Sequence, residues 1–284
     1  MKWSNIKELL MHILFFLTAC VSIFAVVLIC VFLFANGIPA IGKIGVFKFL
    51  LGTKWKPGND IYGILPMILG SLYVTAGAII IGVPIGLLTA VFLAKFCPKG
   101  LYKILKPATE LMAGVPSVVY GFFGLVVLVP LVQNIFGVAG NTMLTASVLL
   151  GIMILPTIIG VSESAIRAVP DSYYEGSLAL GASHERSVFF ASLPAAKSGI
   201  LAAIILGVGR AIGETMAVIL VAGNQTVIPK GITSGIRTLT SNIVMEMGYA
   251  GGLHREALIA TGVVLFVFIL IINLCFSALK RRKD

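Results

Sequence analysis

Charge is scarce in this chain: only 11% of its 284 residues are Asp, Glu, Lys or Arg. A soluble globular domain carries roughly 25%, so a water-soluble fold is excluded. Histidine is scarcer still. His12, His184 and His254 are the 3 in the chain, and none stands within ligand spacing of another, so no metal site is indicated. The 4 cysteines, Cys20, Cys30, Cys97 and Cys275, lie in or beside apolar segments without a C-x-x-C pair. That argues against a disulfide framework and leaves them as small packing residues. There is no Gly-x-x-x-x-Gly-Lys-Ser/Thr loop, so the chain does not bind ATP in the usual way and no cofactor is expected in it. A clustered His, Asp or Cys set at the membrane surface is also missing, which argues against an enzyme.

What is present is apolar sequence, 58% of the chain at a mean hydropathy of +1.06, as expected of a polytopic membrane protein. Residues 9–34 form the first run, behind Lys2 and Lys7. It is too long for the h-region of a secretory signal. Leu17-Thr18-Ala19-Cys20 resembles a lipoprotein cleavage box, but uncharged residues continue past Cys20 where a soluble domain would begin. The run is therefore read as a transmembrane helix, followed by a polar loop over residues 36–65 with interfacial Trp55 and Tyr62. Residues 66–94 make a second span, interrupted by Gly82-Val83-Pro84-Ile85-Gly86. Between Glu110 and Glu163 there are 52 positions without a charge, too many for one span of about 20 residues and enough for two. A turn at residues 133–141 divides them into spans 108–132 and 142–161. Spans 195–222 and 257–279 complete a single all-α permease domain, 1–284, with six transmembrane helices.

Six spans put both termini on one side. That side holds 13 Lys and Arg, against 7 on the other, so the termini and the loop 162–194 are expected to be cytoplasmic. The net charge of +10 reflects short loops and the tail Lys280–Lys283, a topogenic signal, and nucleic acid is not expected as a partner.

Within that loop, Pro170–Pro194 is ordered in pattern and charged on one face. Ser172 and Glu175 have the spacing of a capping box, Tyr174 and Leu178 fall one turn apart, and Gly181 permits a left-handed stop. The stretch resembles the E-A-A-x3-G-x9-I-x-L-P loop by which ABC importer permeases dock on their ATPase. Glu175, Gly181, Leu193 and Pro194 match, while Gly176 and Ser177 replace the two alanines and Ala191 the isoleucine. The resemblance implies the type I importer permease fold, with this stretch as the cytoplasmic coupling helix.

Arg210 and Glu214 are the charges well inside an apolar segment. At about 1.5 Å per residue, Arg210 comes roughly 22 Å along its helix, near the bilayer midplane. An ionisable group there costs ~3 kcal/mol or more and normally faces a cavity or a partner. Spaced i, i+4, the two should share a helix face. The guanidinium fork suits a tetrahedral oxyanion, and a structural ion pair is the competing reading. Ser117 and Tyr120, in a span weakened by Gly114, Pro116, Gly121 and Gly124, are further pathway candidates.

GRAIGETMAV around Arg210, NDIYG at 59–63 and ELMAGVPSVVYGFFGL at 110–125 resemble the PstC-type permeases of bacterial phosphate ABC importers. The resemblance implies an inner-membrane subunit that passes inorganic phosphate by way of Arg210 and Glu214. It also implies a second homologous permease (PstA type), two ATPase subunits (PstB type) that bind ATP and Mg, an external phosphate-binding protein (PstS type), and membrane lipid around the assembly. A permease for another oxyanion, such as sulfate, molybdate or phosphonate, and a membrane scaffold in phosphate signalling remain open.

Overall fold

A computed structural model describes the backbone of residues 3–281 and the side chains of residues 7–275. The tail Lys280–Lys283 and Lys2 lie outside the described side chains. By length and composition, five helical segments can cross a membrane: Lys7–Ile44, Leu65–Phe96, Ser117–Phe136, Met143–Arg167 and Gly252–Cys275. A pair bent by 71°, His184–Ala195 with Lys197–Gly213, supplies a sixth. The near face is the one where the first helix begins, and the far face lies opposite.

The centre of the molecule is α3 (Leu65–Val91) packed along α7 (Met143–Arg167). A side chain on Gly82 would meet the Gly151 carbonyl at 2.8 Å, and one on Gly86 would meet Ile158 at 2.9 Å. The stretch expected to interrupt this span therefore does something else. Its glycines bring α7 against α3, and the helix runs on through Pro84 because the surrounding helices hold it. Val74, Ala78, Leu149, Ile154 and Ile158 fill this contact together with Val218 and Val221. Thr142 caps α7, its hydroxyl accepting from the Thr145 N–H at 3.2 Å.

Three boundaries depart from the sequence expectation. Helix α1 (Trp3–Ile44) continues some ten residues past the expected end at Phe34, through what was read as loop. Ala40 is fully buried, Phe34 meets Phe266 edge-on, and Lys43 reaches Glu256 at 2.7 Å, so α14 (Gly252–Arg281) carries α1 onward. The loop that remains holds a short α2 (Val46–Leu51) and a two-residue hairpin, β1 (Trp55–Lys56) with β2 (Ile61–Tyr62), at the far face.

Second, residues 108–114 are not in the membrane span. They end an amphipathic helix α4 (Lys99–Gly114) that has no buried residue. Pro116 disfavours a helical residue before it, and Val115 is extended at φ −68°, ψ 126°. The crossing segment starts beyond it as α5 (Ser117–Phe123) and continues through wider i→i+5 turns over 124–128 into α6 (Val129–Phe136).

Third, span 195–222 is broken. Helix α11 (Lys197–Gly213) stops, Glu214 is extended at φ −68°, ψ 134°, and α12 (Met216–Val221) starts afresh.

Between α7 and α11, on the near face, lie α8 (Asp171–Ala179), α9 (His184–Ser187) and α10 (Leu193–Ala195). They close a near-face core of Val91, Ile166, Val188, Ala196 and Ile200. The far-face core of Phe49, Trp55, Tyr62, Met67, Leu239 and Leu258 is completed by α13 (Leu239–Met247).

Candidate translocation and coupling site

Arg210 stands in the last turn of α11, about 20 Å from the start of that helix at 1.5 Å per residue. It is exposed on the surface of this chain, and it makes no hydrogen bond or ion pair among the described residues. The expected shared face with Glu214 is not formed, since the helix ends between them. Instead the Glu214 carboxylate accepts from the Ala217 N–H at 3.1 Å, satisfying a free donor at the start of α12. The Glu214 carbonyl accepts from the Thr240 hydroxyl at 3.0 Å. Among the described residues Arg210 therefore has no counter-ion.

Helix α5 lies beside α12 because Gly121 lets them touch: a side chain there would meet the Ala217 backbone at 2.8 Å. This brings Tyr120 within electrostatic reach of Arg210. The Tyr120 hydroxyl donates to the Met112 carbonyl at 2.9 Å, bridging the break between α4 and α5. Ser117, half-buried in the first turn of α5, is one turn earlier on the same helix. Arg210 and Tyr120 thus lie within electrostatic reach of each other, whereas Glu214 is turned to a capping role.

At the near face, Gly181 has φ +87°, the left-handed value expected of a helix stop. The capping box does not form, because α8 begins at Asp171 behind Pro170 and Ser172 is already inside the helix. Tyr174 is turned inward, its hydroxyl 2.6 Å from His184 Nδ1 and its ring under Lys95 Nζ at 5.6 Å. Ser187 donates to Ser177 at 3.0 Å, tying α9 to α8. Glu175 and Leu178 are exposed, Leu193 is half-buried and Pro194 is exposed. Leu180 at 91% exposure and Phe190 at 78% extend an apolar surface that hydropathy alone did not single out.

Two buried carboxylates escaped the sequence reading. Glu163, 1% exposed, accepts from Tyr102 Oη at 2.7 Å, Lys106 Nζ at 2.9 Å and Arg167 Nε at 2.8 Å. Hydrogen bonding to Glu163 pushes the Lys106 ammonium and the Tyr102 phenol above their ordinary values. The i, i+4 spacing of Glu163 and Arg167 was a usable signal. Glu246, on the far face, accepts from Trp55 Nε1 at 2.9 Å and Arg237, with His254 Nε2 at 2.8 Å. These partners are up to 191 positions apart, and no local pattern joins them.

A polytopic helical chain with an uncompensated cation on a broken span and an apolar, turn-rich segment on one face has the form of a transport permease. The chain belongs to the family of binding-protein-dependent transport system inner membrane components, whose model matches residues 82–284. Among its relatives is the probable ABC transporter permease protein YqgH of Bacillus subtilis, 38% identical over 94% of this chain and 89% of that one. The phosphate transport system permease protein PstC of Haemophilus influenzae is 35% identical over 78% of this chain and 76% of its own length. Among solved structures, a bacterial ABC transporter involved in the import of the acidic polysaccharide alginate matches 99% of this chain and 98% of that one at a TM-score of 0.64 and 16% identity. The MetNI methionine ABC transporter, inward facing, matches at 0.59 and 19% over 78% and 94%. These two establish likeness of fold.

Proposed function

We propose that this chain is one of two permease subunits of an ATP-driven importer that carries inorganic phosphate across the inner membrane. The observation that carries the reading is Arg210, an exposed guanidinium well along a membrane helix with no carboxylate partner among the described residues. A cation held there costs ~3 kcal/mol or more unless a cavity or a neighbour receives it. A pathway for oxyanions, shared with a second permease, supplies both. Several relatives named as phosphate transport permeases, at 31–35% identity, support phosphate over other oxyanions.

The apolar outer surface of α1, exposed from residue 9 to residue 28, has room for the second permease and for lipid. Residues 170–194 are read as the ATPase contact, since Tyr173, Leu180 and Phe190 expose apolar surface there that water would otherwise cover. ATP and Mg then belong to the two ATPase subunits, and an external binding protein delivers phosphate. The excess of basic residues on the near face supports a cytoplasmic position for that face and both termini.

The test is phosphate uptake by vesicles containing the complete assembly, with sulfate as competitor. ATP-dependent uptake that sulfate does not suppress is expected. Equal suppression by sulfate would replace phosphate with a broader oxyanion class, and an absence of uptake would sink the reading.

A further inference from the structure

We propose that Glu163 is the joint through which movement of the near-face segment 170–194 is passed to the pathway residue Tyr120, with Lys106 and Tyr102 of α4 as its movable partners. This rests on the reading of the chain as a transport permease.

Glu163 sits one turn before the end of α7, and only residues 168–170 separate α7 from α8. At this junction Arg167 also donates to the Leu93 carbonyl at 2.8 Å, and Lys95 lies 3.9 Å from Asp171. The wide turn over residues 92–96 that follows α3, α7 and the start of α8 are thereby linked into one unit. Helix α4 is held differently. It buries none of its residues, so apolar packing does little to fix it against α7. What joins them is polar: Tyr102 and Lys106 both donate to Glu163, and the Arg167 guanidinium stacks 4.6 Å from the Tyr102 ring. At its other end α4 is tied to α5 by the bond from Tyr120 to Met112, and Tyr120 lies within electrostatic reach of Arg210. A continuous physical connection therefore runs from α8 through α7 and Glu163 into α4, and on to Tyr120.

The chemistry suits a joint more than a rivet. A carboxylate needed only for the stability of α7 has its own i+4 partner in Arg167. The two donors from α4 are additional, directional and individually worth a modest net amount, since each trades a protein bond for a water bond. They can part and re-form where interdigitated side chains could not. Lys106 also has Glu110 at 3.6 Å, an exposed carboxylate that can receive it when it leaves Glu163.

The decisive variant removes the α4 donors while leaving the buried carboxylate paired with Arg167: Lys106→Gln with Tyr102→Phe, in the complete assembly with its ATPase and binding protein. Two readouts are taken. One is ATP hydrolysed per phosphate imported. The other is the distance between spin labels at Ile104 on α4 and Ser172 on α8, with and without nucleotide. In the unmodified assembly, a narrow distance distribution whose mean shifts with nucleotide is expected, because α4 turns on α7 in step with α8 as the bonds to Glu163 part and re-form. In the double variant, hydrolysis persists, the ratio of ATP to phosphate rises severalfold, and the distribution widens. Lys106→Arg alone keeps the normal ratio, and Lys106→Gln alone, which leaves Tyr102 in place, serves if the double variant fails to assemble. An unchanged ratio with an unchanged distribution, or hydrolysis and import falling together at constant ratio, would overturn the proposal. If the unmodified assembly hydrolyses ATP without importing phosphate, the transport reading fails while the spin-label comparison still decides whether Glu163 holds α4 to α8.

Discussion

Arg210 and Glu214 are separated by a helix end, and that separates their consequences when they are changed. Because no carboxylate leans on the guanidinium, Arg210→Gln strands no buried charge and the subunit should assemble normally. Arg210→Lys keeps a cation but loses the planar fork. One charge-assisted contact to an oxyanion is worth ~1.5–3 kcal/mol, so uptake in vesicles is expected to fall by ~10-fold or more while the complex migrates unchanged on gel filtration. Glu214→Ala acts through α12 instead, losing a cap worth ~1 kcal/mol. The double change Arg210→Gln with Glu214→Gln should assemble and still fail to import phosphate. Near-normal uptake by that variant would remove Arg210 from the pathway.

At the scale of elements, the segment 170–194 presents its surface differently from the motif by which it is recognised. Tyr174 is drawn inward by His184 and Lys95, and Ser177 is engaged by Ser187, so the inner side of α8 holds the segment together. The side left for a partner carries Tyr173 and Leu180. Cysteine at Leu180 should therefore crosslink to the ATPase efficiently, and cysteine at Ser177 less so, as read by mass shift on a denaturing gel. Crosslinking at neither position, or stronger crosslinking at Ser177, would mean that the docking face has been assigned to the wrong side of α8.

At the scale of the whole molecule, helices that would have to face water or lipid with an unpaired cation call for a neighbour. From residue 9 to residue 28, α1 touches little of its own chain, whereas its last turns pack firmly on α14. Among the described residues, a single subunit thus leaves Arg210 and the first part of α1 without a protein partner. The chain is expected to be obtained as a stable, active complex only when expressed with a second, non-identical permease, and to aggregate or stay inactive alone, as checked by light scattering and by uptake after reconstitution. Activity of a purified homodimer would refute this.

The sequence alone determined the membrane character and the number of apolar runs, and it singled out the segment 170–194 for which a coupling role is proposed, because these depend on composition and on residues close together in the chain. Pro116 and the glycine at position 181 act through their own backbone restrictions and could be interpreted in the same way. Other features were settled by contacts between distant parts of the chain. Residues 35–44 are helical because α14 packs beside them. The Gly82–Gly86 stretch stays helical because α7 fits into its notch. The fifth apolar run breaks at Glu214, whose carbonyl is held by Thr240. Glu163 and Glu246 tell the same story: each gathers donors from segments that are remote in sequence, and only the folded chain makes those donors neighbours. A charge inside an apolar run announces that a partner is needed, but whether that partner is one turn away, in another helix or in another subunit is decided by packing.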